Sequence, residues 1–250
     1  EMSRGLGDVY KRQNLEEAVV EEKKIEEMDV VFLMDRFGYA KTVDVSVYER
    51  NKEAADTENR YILTCKNTDK ICIFTNKGQM HLLKVLDLPY GKFRDKGIPI
   101  DNLSNYNSSE ENFIYIINLG AIIHSRLLFG TKTAMLKMVD GSEFDVAKRT
   151  TASTKLNEDD ELLIVHAMTG EETVVMQSEK EMFLRIEAST IPEKKKGAVG
   201  VRGMKLNAGD ALSNIYVLDG ESEQTVEVKG KEVVLNRLRV GNRDTKGTKR

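Results

Sequence analysis

The stretches Asn107–Gly120 (NSSEENFIYIINLG), Asn157–Gly170 (NEDDELLIVHAMTG) and Asn207–Gly220 (NAGDALSNIYVLDG) decide the fold, because they are three copies of one unit spaced fifty residues apart. Each opens on a polar turn that ends in an acid (Glu110, Asp160, Asp210), continues through an apolar strand and stops at a glycine. Self-similarity at such a period marks a stacked or radial repeat architecture.

Outward from these strands, each glycine is followed by a pair of apolar runs of hairpin form: RLLFGTKTAMLKMV from Arg126, TVVMQSEKEMFLRI from Thr173 and QTVEVKGKEVVLNRL from Gln224. Two more pairs precede them, VVFLMDRFGYAKTV from Val30 and ICIFTNKGQMHLLKV from Ile71, the second after a single strand, RYILTC, from Arg60. Phe37-Gly38, Lys77-Gly78 and Lys229-Gly230 supply the positive φ that tight turns need. Five hairpins separated by single strands, at spacings of 41 to 55 residues, predict an all-β fold: a β-propeller of about five four-stranded blades. One such sheet cannot bury both its faces, so neighbours must stack. A β-sandwich or two small barrels would not require the even spacing.

The rest of the chain fits one domain with short ends. Residues 14–28 read as a helix end or, equally, an acidic linker; 29–239 form the propeller; 240–250 are a basic tail expected to be a loose end. Asp8–Gln13 looks like translated sequencing adapter, so residues 1–13 are expected to be foreign and the chain to be a piece of a longer protein. Beyond position 28 no long segment keeps a 3.6-residue period, so helices should be few, and Val47–Asn59 reads as a loop.

Composition excludes several classes. No run approaches the roughly 20 apolar residues of a membrane helix, and the first residues lack the apolar core of a secretory signal; a cytoplasmic location is expected. The net charge is -3. Residues 1–28 carry eight acids and five bases and so account for all of it, leaving the remainder neutral. A polyanionic partner would therefore be held by local clusters. Cys65 and Cys72 are too few for a disulfide framework or a zinc site and read as buried thiols. His81, His124 and His166 pair with no nucleophile, Tyr48 has no base to orient it, and GVRGMK lacks the spacing and context of a nucleotide-binding loop. No catalytic residue, metal site or cofactor is expected within the chain.

The clusters are found at one place in the repeat. Lys92, Arg94 and Lys96, then Lys148 and Arg149, then Lys194, Lys195, Lys196 and Arg202 all lie between a hairpin and the next acidic turn. If the blades are equivalent, these residues form a discontinuous track on which phosphates can be bound in succession. The strongest is the last: five positive residues from Lys194 to Lys205 with no acid among them.

The units DRFGYAKTV and FTNKGQMHLLKV, the segment KGAVGVRGMKLNAGD from Lys196 to Asp210, and KGIPIDNL from Lys96 to Leu103 resemble the blades of the C-terminal domain of bacterial type IIA topoisomerase A subunits, gyrase and topoisomerase IV. The resemblance implies a propeller variant, the pinwheel, whose basic edge binds and bends duplex DNA and presents it for strand passage by a catalytic core. It also implies an ATP-hydrolysing isomerase as the parent protein, an A-subunit dimer acting with a B subunit that supplies ATP and Mg, and a nucleoid-associated location. Gyrase A subunits carry a glycine-rich basic box on the first blade. The corresponding stretch here, VYERNKEAADTEN (Val47–Asn59), has no glycine and four acids, which favours a topoisomerase IV-like relaxing and decatenating enzyme. The competing function is a protein-interaction propeller that does not bind DNA.

Overall fold

A computed structural model describes residues 24–250, and residues 24–28 have no regular structure. The expectations for residues 1–13 and for most of the 14–28 segment lie outside the described residues.

The chain begins with a hairpin, β1 (Asp29–Met34) and β2 (Tyr39–Asp44), then two short helices, α1 (Val45–Arg50) and α2 (Lys52–Glu58), then β3 (Tyr61–Lys66), which pairs antiparallel with β1. A second hairpin follows, β4 (Lys70–Thr75) and β5 (Gln79–Lys84). The next strands, β6 (Tyr90–Gly91) and β7 (Ile98–Pro99), do not stay with it but cross back to pair with β2. β8 (Phe113–Asn118) returns to β4 and leads through α3 (Leu119–Ile122) into the third hairpin, β9 (Arg126–Thr131) and β10 (Met135–Asp140). The cycle then repeats. β11 (Thr150–Ala152) crosses back to β5, and β12 (Leu162–Met168) pairs with β9. After the fourth hairpin, β13 (Thr173–Ser178) and β14 (Met182–Glu187), β15 (Val201–Arg202) crosses back to β10. β16 (Met204–Lys205) precedes β17 (Leu212–Leu218), which pairs with β13. After the fifth hairpin, β18 (Thr225–Val228) and β19 (Lys231–Val234), β20 (Thr245–Lys246) pairs with β16 and β21 (Thr248–Lys249) with β14.

All five expected hairpins are present, and the all-β propeller architecture holds. Four become full blades. In each, the fourth strand comes from the segment after the following hairpin, so every blade is completed by its neighbour. The fifth hairpin pairs only with itself among the described residues. The segment 240–250 is not a loose end: β20 pairs with β16, and β21 occupies in the fourth blade the place that β15 occupies in the third, because the edge of β14 has backbone donors and acceptors to satisfy.

Because blades stack face to face, the first strand of a hairpin is buried on both sides, and its sequence is a continuous apolar run instead of an alternating one. β1 is DVVFLM, and all but its first residue are buried. Phe32, Ile73 and Ile116 meet between the first two blades; Phe74, Phe129 and Phe144 between the second and third, with Phe74 and Phe144 edge to face at 5.1 Å; Leu136, Met176 and Ile215 between the third and fourth; Phe183, Val228 and Leu235 between the fourth and fifth.

The two ends of the array are finished differently. The outer face of the first blade (Val31, Leu33, Val43) is covered by Val47, Tyr48 and Ala55 of the helix pair and by Phe93. Val47–Asn59 is thus helical, contrary to the loop expected from sequence. Asp44 caps α1, its carboxylate accepting from the Ser46 amide at 2.8 Å, and burial of the apolar blade face supplies what six- and seven-residue helices lack on their own. At the other end the fifth hairpin alternates. Val226, Val228 and Val233 turn toward the fourth blade, while Thr225, Glu227 and Glu232 are exposed, the polar outer face expected of a capping repeat.

The repeated polar turns close as their spacing indicates. The amides of Glu110, Asp160 and Asp210 each donate to the carbonyl three residues back, Asn107, Asn157 and Asn207, at 3.1 Å. Asp160, buried, also ties the turn to the third hairpin: its carboxylate accepts from the Thr133 amide at 3.0 Å, the Thr133 hydroxyl at 2.6 Å and the Glu161 amide at 2.9 Å. Asp160→Ala is expected to lower unfolding free energy by about 1.5–3 kcal/mol, the scale of hydrogen bonds to a charged group; a urea-denaturation midpoint equal to wild type would contradict this role. Gly200, at φ +103°, lets a returning segment lie on β10, since a Cβ there would stand 2.6 Å from the Leu136 carbonyl oxygen. Gly200→Ala should therefore cost about 2–3 kcal/mol, measurable in the same titration, whereas Gly220→Ala, with nothing within 4 Å of the added carbon, should cost less.

Candidate nucleic-acid interface

The basic clusters seen in the sequence all fall on the crossing segments that end in the blade edges. Lys92, Arg94 and Lys96 lie between β6 and β7 on the first edge, Lys148 and Arg149 lead into β11 on the second, and Lys194, Lys195 and Lys196 precede β15, which contains Arg202, on the third. A fourth segment, which sequence reading set apart as a tail, carries Arg239, Arg243 and Lys246 ahead of β21. Its signal was the same one, a basic stretch after a hairpin, and it was missed because no further repeat follows to frame it.

The segments differ in how much of their charge is available. On the first edge, a cleft of about 240 Å³ is bordered by Lys41, Arg94 and Lys96 but also by Asp35, Glu58 and Asp95, so the charges balance. On the second, a cleft of about 210 Å³ sets Lys70, Lys84, Lys148 and Arg149 against one acid, Asp87. Arg149 is partly committed, its guanidinium donating to the Leu103 carbonyl at 2.8 Å. On the third, Lys194 and Lys195 are exposed, whereas Lys196 turns inward to the Glu143 carbonyl at 3.1 Å and the Thr151 hydroxyl at 3.2 Å. Arg202 is paired with Asp244, and the pairing raises the pKa of the one and lowers that of the other. On the fourth, a cleft of about 350 Å³ is bordered by Arg185, Arg239, Lys246 and Arg250 with no acid. Cationic character is therefore concentrated on the second, third and fourth edges.

Sequence reading also passed over the side chains that hold these segments in place. Lys41 on β2 donates to the Asp95 carbonyl at 3.0 Å and to that of Phe93. His81 on β5, assigned no role from sequence, contacts the Thr150 hydroxyl through Nδ1 at 2.8 Å and the Glu111 carboxylate through Nε2. Lys137 on β10 donates to the carbonyls of Lys195, Lys196 and Ala198. Arg185 on β14 donates to the carbonyls of Asn236 at 2.6 Å and Leu238 at 3.2 Å. The detectable signal was that Lys41 and His81 each stand three residues after a turn glycine, Gly38 and Gly78; Lys137 follows Ala134 at the same distance, but the residue type there does not announce its positive φ.

Groups that could do covalent chemistry are muted. Burial pushes the Cys72 thiol up to about 12 and the Cys65 thiol to about 11, so neither is a thiolate near neutrality. Tyr48 lies on α1 and donates to Asp56 at 2.9 Å, a bond that raises its pKa. Among the described residues no group of three or more His, Cys, Asp or Glu side chains could hold a metal ion, and no helix is long and apolar enough to cross a membrane.

Comparison with known proteins agrees with this architecture. The family described as DNA gyrase C-terminal domain, beta-propeller, matches residues 125–167 and 172–219, the third and fourth units. The A subunit of DNA gyrase from Staphylococcus epidermidis is 29% identical over 251 residues, spanning 93% of this chain and 28% of that protein. Its counterpart from Lawsonia intracellularis is 28% identical over 245 residues, spanning 90% of this chain and 30% of its own. The chain thus spans under a third of the length of these curated relatives. Among solved structures, the C-terminal domain of DNA topoisomerase IV superposes with a TM-score of 0.79 at 22% identity, over 90% of this chain and 73% of that one. The E. coli ParC C-terminal domain gives 0.72 at 15%, over 89% and 94%, and the DNA gyrase A C-terminal domain 0.59 at 17%, over 88% and 76%. The repeat and the strand exchange between blades agree with the fold of the C-terminal domains of the gyrase and topoisomerase IV A subunits, and the third and fourth units match the gyrase C-terminal family.

Proposed function

We propose that this chain binds and bends duplex DNA along its blade edges as the C-terminal domain of a type IIA topoisomerase A subunit. The observation that carries the proposal is the repeated placement of exposed cations on edge segments of successive blades. A curved row of such segments meets phosphates one after another and reads charge and shape without touching base edges. Lys148, Lys194 and Lys195, with Arg239 and Lys246, are the principal contacts; Arg149, Lys196 and Arg202 add to them through whatever donors their structural bonds leave. Lys92, Arg94 and Lys96 contribute less because acids face them. Bending 20–30 base pairs by 40–90° costs on the order of 1–6 kcal/mol, which several phosphate contacts offset.

The parent protein is an ATP-hydrolysing isomerase in which an A-subunit dimer acts with a B subunit, the latter supplying the ATP and Mg chemistry, in the cytoplasm on the nucleoid. Within the family the reading is topoisomerase IV-like. In place of the glycine-rich basic box that wraps DNA in gyrase stands the helix pair α1–α2, with Glu49, Glu53, Asp56 and Glu58. Its charge repels a backbone that would have to pass the first blade on its way around.

The test is anisotropy of a labelled linear duplex across a salt series, with the double variant Lys194→Glu, Lys195→Glu beside wild type; Lys196 is left intact because it holds structure. Wild-type binding should weaken with salt, and the variant should bind at least tenfold more weakly with a log–log salt slope reduced by about two, as expected when two phosphate contacts are lost. Absence of binding at low salt would remove the DNA reading and favour a protein-interaction propeller.

A further inference from the structure

We propose that Lys137 is a positioning residue for DNA binding: its ammonium, buried in the third blade, clips the backbone of the Lys194–Ala198 segment and so presents Lys194 and Lys195 at the blade edge. The proposal rests on the DNA-binding reading above.

Lys137 is 1% exposed, and it is the one charged side chain among the largest fully buried ones. A lone buried ammonium is costly unless its donors are met. Here all three are, by the carbonyls of Lys195 at 3.0 Å, Lys196 at 3.1 Å and Ala198 at 2.7 Å, with the Phe129 ring centroid 5.5 Å away. No carboxylate bonds to it. Three carbonyls from a four-residue stretch point inward at one atom only if the loop is folded around that atom, and in that fold Lys194 and Lys195 are exposed while Lys196 turns to Glu143 and Thr151. Packing alone would not select a lysine: at the same register in the fourth blade, three residues after the positive-φ Glu181, stands Leu184. Lys41 repeats the device in the first blade, gripping the carbonyls of Phe93 and Asp95 between Lys92 and Lys96. Arg185 does so from the neighbouring position in the fourth, beside Arg237 and Arg239. A cation on the second hairpin strand thus holds the cation-bearing segment that returns from the next repeat.

The ionisable groups on the elements around Lys137 are Glu143 on the turn after β10, Asp140 on β10 itself, Arg126 on β9, Arg202 on β15, Lys155 beyond β11, and Glu193, Lys194, Lys195 and Lys196 on the returning segment. Burial lowers the ammonium to about 8, opposed by the negative charge of Glu143. Above that pH the neutral amine keeps two N–H donors for three carbonyls.

The test combines Lys137→Met, which keeps length and removes the donors, with Lys137→Arg, which keeps the charge. Three readouts are taken on the 250-residue chain: thermal unfolding, hydrogen exchange of amides 194–200, and duplex affinity from pH 7 to 9. Expected for Lys137→Met is a retained unfolding transition, loss of protection confined to 194–200 with β9 and β10 still protected, and a Kd raised fivefold or more. Wild-type affinity should fall between pH 7 and 9, that of the Met variant should stay flat, and Lys137→Arg should recover part of the loss at pH 7. A folded Met variant with wild-type affinity, or a wild-type affinity flat across that range, overturns the proposal. Should the Met variant not fold, the wild-type pH profile still decides. If wild type binds no DNA at all, the DNA reading fails, and exchange at 194–200 alone then upholds or overturns the clip.

Discussion

A hairpin that is apolar on both faces and open at both edges has no stable state by itself, and the whole molecule follows from how that problem is solved. The faces are buried by stacking blade on blade. The edges are satisfied by strands that arrive from elsewhere in the sequence: one just after the hairpin, and one from beyond the next hairpin, as β6 and β7, β11, β15 and β21 do. Each blade therefore depends on its successor for backbone hydrogen bonds as well as for contact area. Neighbouring repeats are coupled more tightly than in an array joined by packing alone.

That coupling also places the charge. A segment that leaves one hairpin and returns to the previous blade must run along the outside of a sheet, and there its basic side chains face solvent while its backbone is held from inside. Charge lies outward on the crossing segments, and the anchors Lys41, His81, Lys137 and Arg185 lie beneath them. The ends obey the same logic. The first blade, with no sheet against its outer face among the described residues, is covered by helices, and the last hairpin turns Glu227 and Glu232 to solvent.

What the sequence discloses is what local interactions govern. The turns at Asn107, Asn157 and Asn207 are closed by a bond spanning three residues, and their residue types announce it. The first four hairpins show because doubly buried strands must be continuously apolar, and the fifth shows by its alternation on either side of Lys229-Gly230. The returning strands are two or three residues long and owe their state to partners 48 to 73 residues away, so they leave no local pattern. The helices at 45–58 are likewise made by the face they cover, with Val47, Tyr48 and Ala55 too sparse to reveal a period. Lys137 has the sequence appearance of any strand lysine, and only its register against Lys41 separates it from a solvated one. For the same reason Lys196 and Arg202, counted from sequence with Lys194 and Lys195, prove to be engaged with Glu143 and Asp244.

The most direct measurement of whether blade edges carry the DNA is lysine footprinting: acetylation of the chain, free and bound to a duplex of about 40 base pairs, read by mass spectrometry. Contact along the crossing segments predicts protection of Lys148, Lys194, Lys195 and Lys246, with Lys52 on α2 and Lys231 on the fifth hairpin reacting as in the free chain. Protection of Lys52 and Lys231 with the edge lysines left reactive would contradict it.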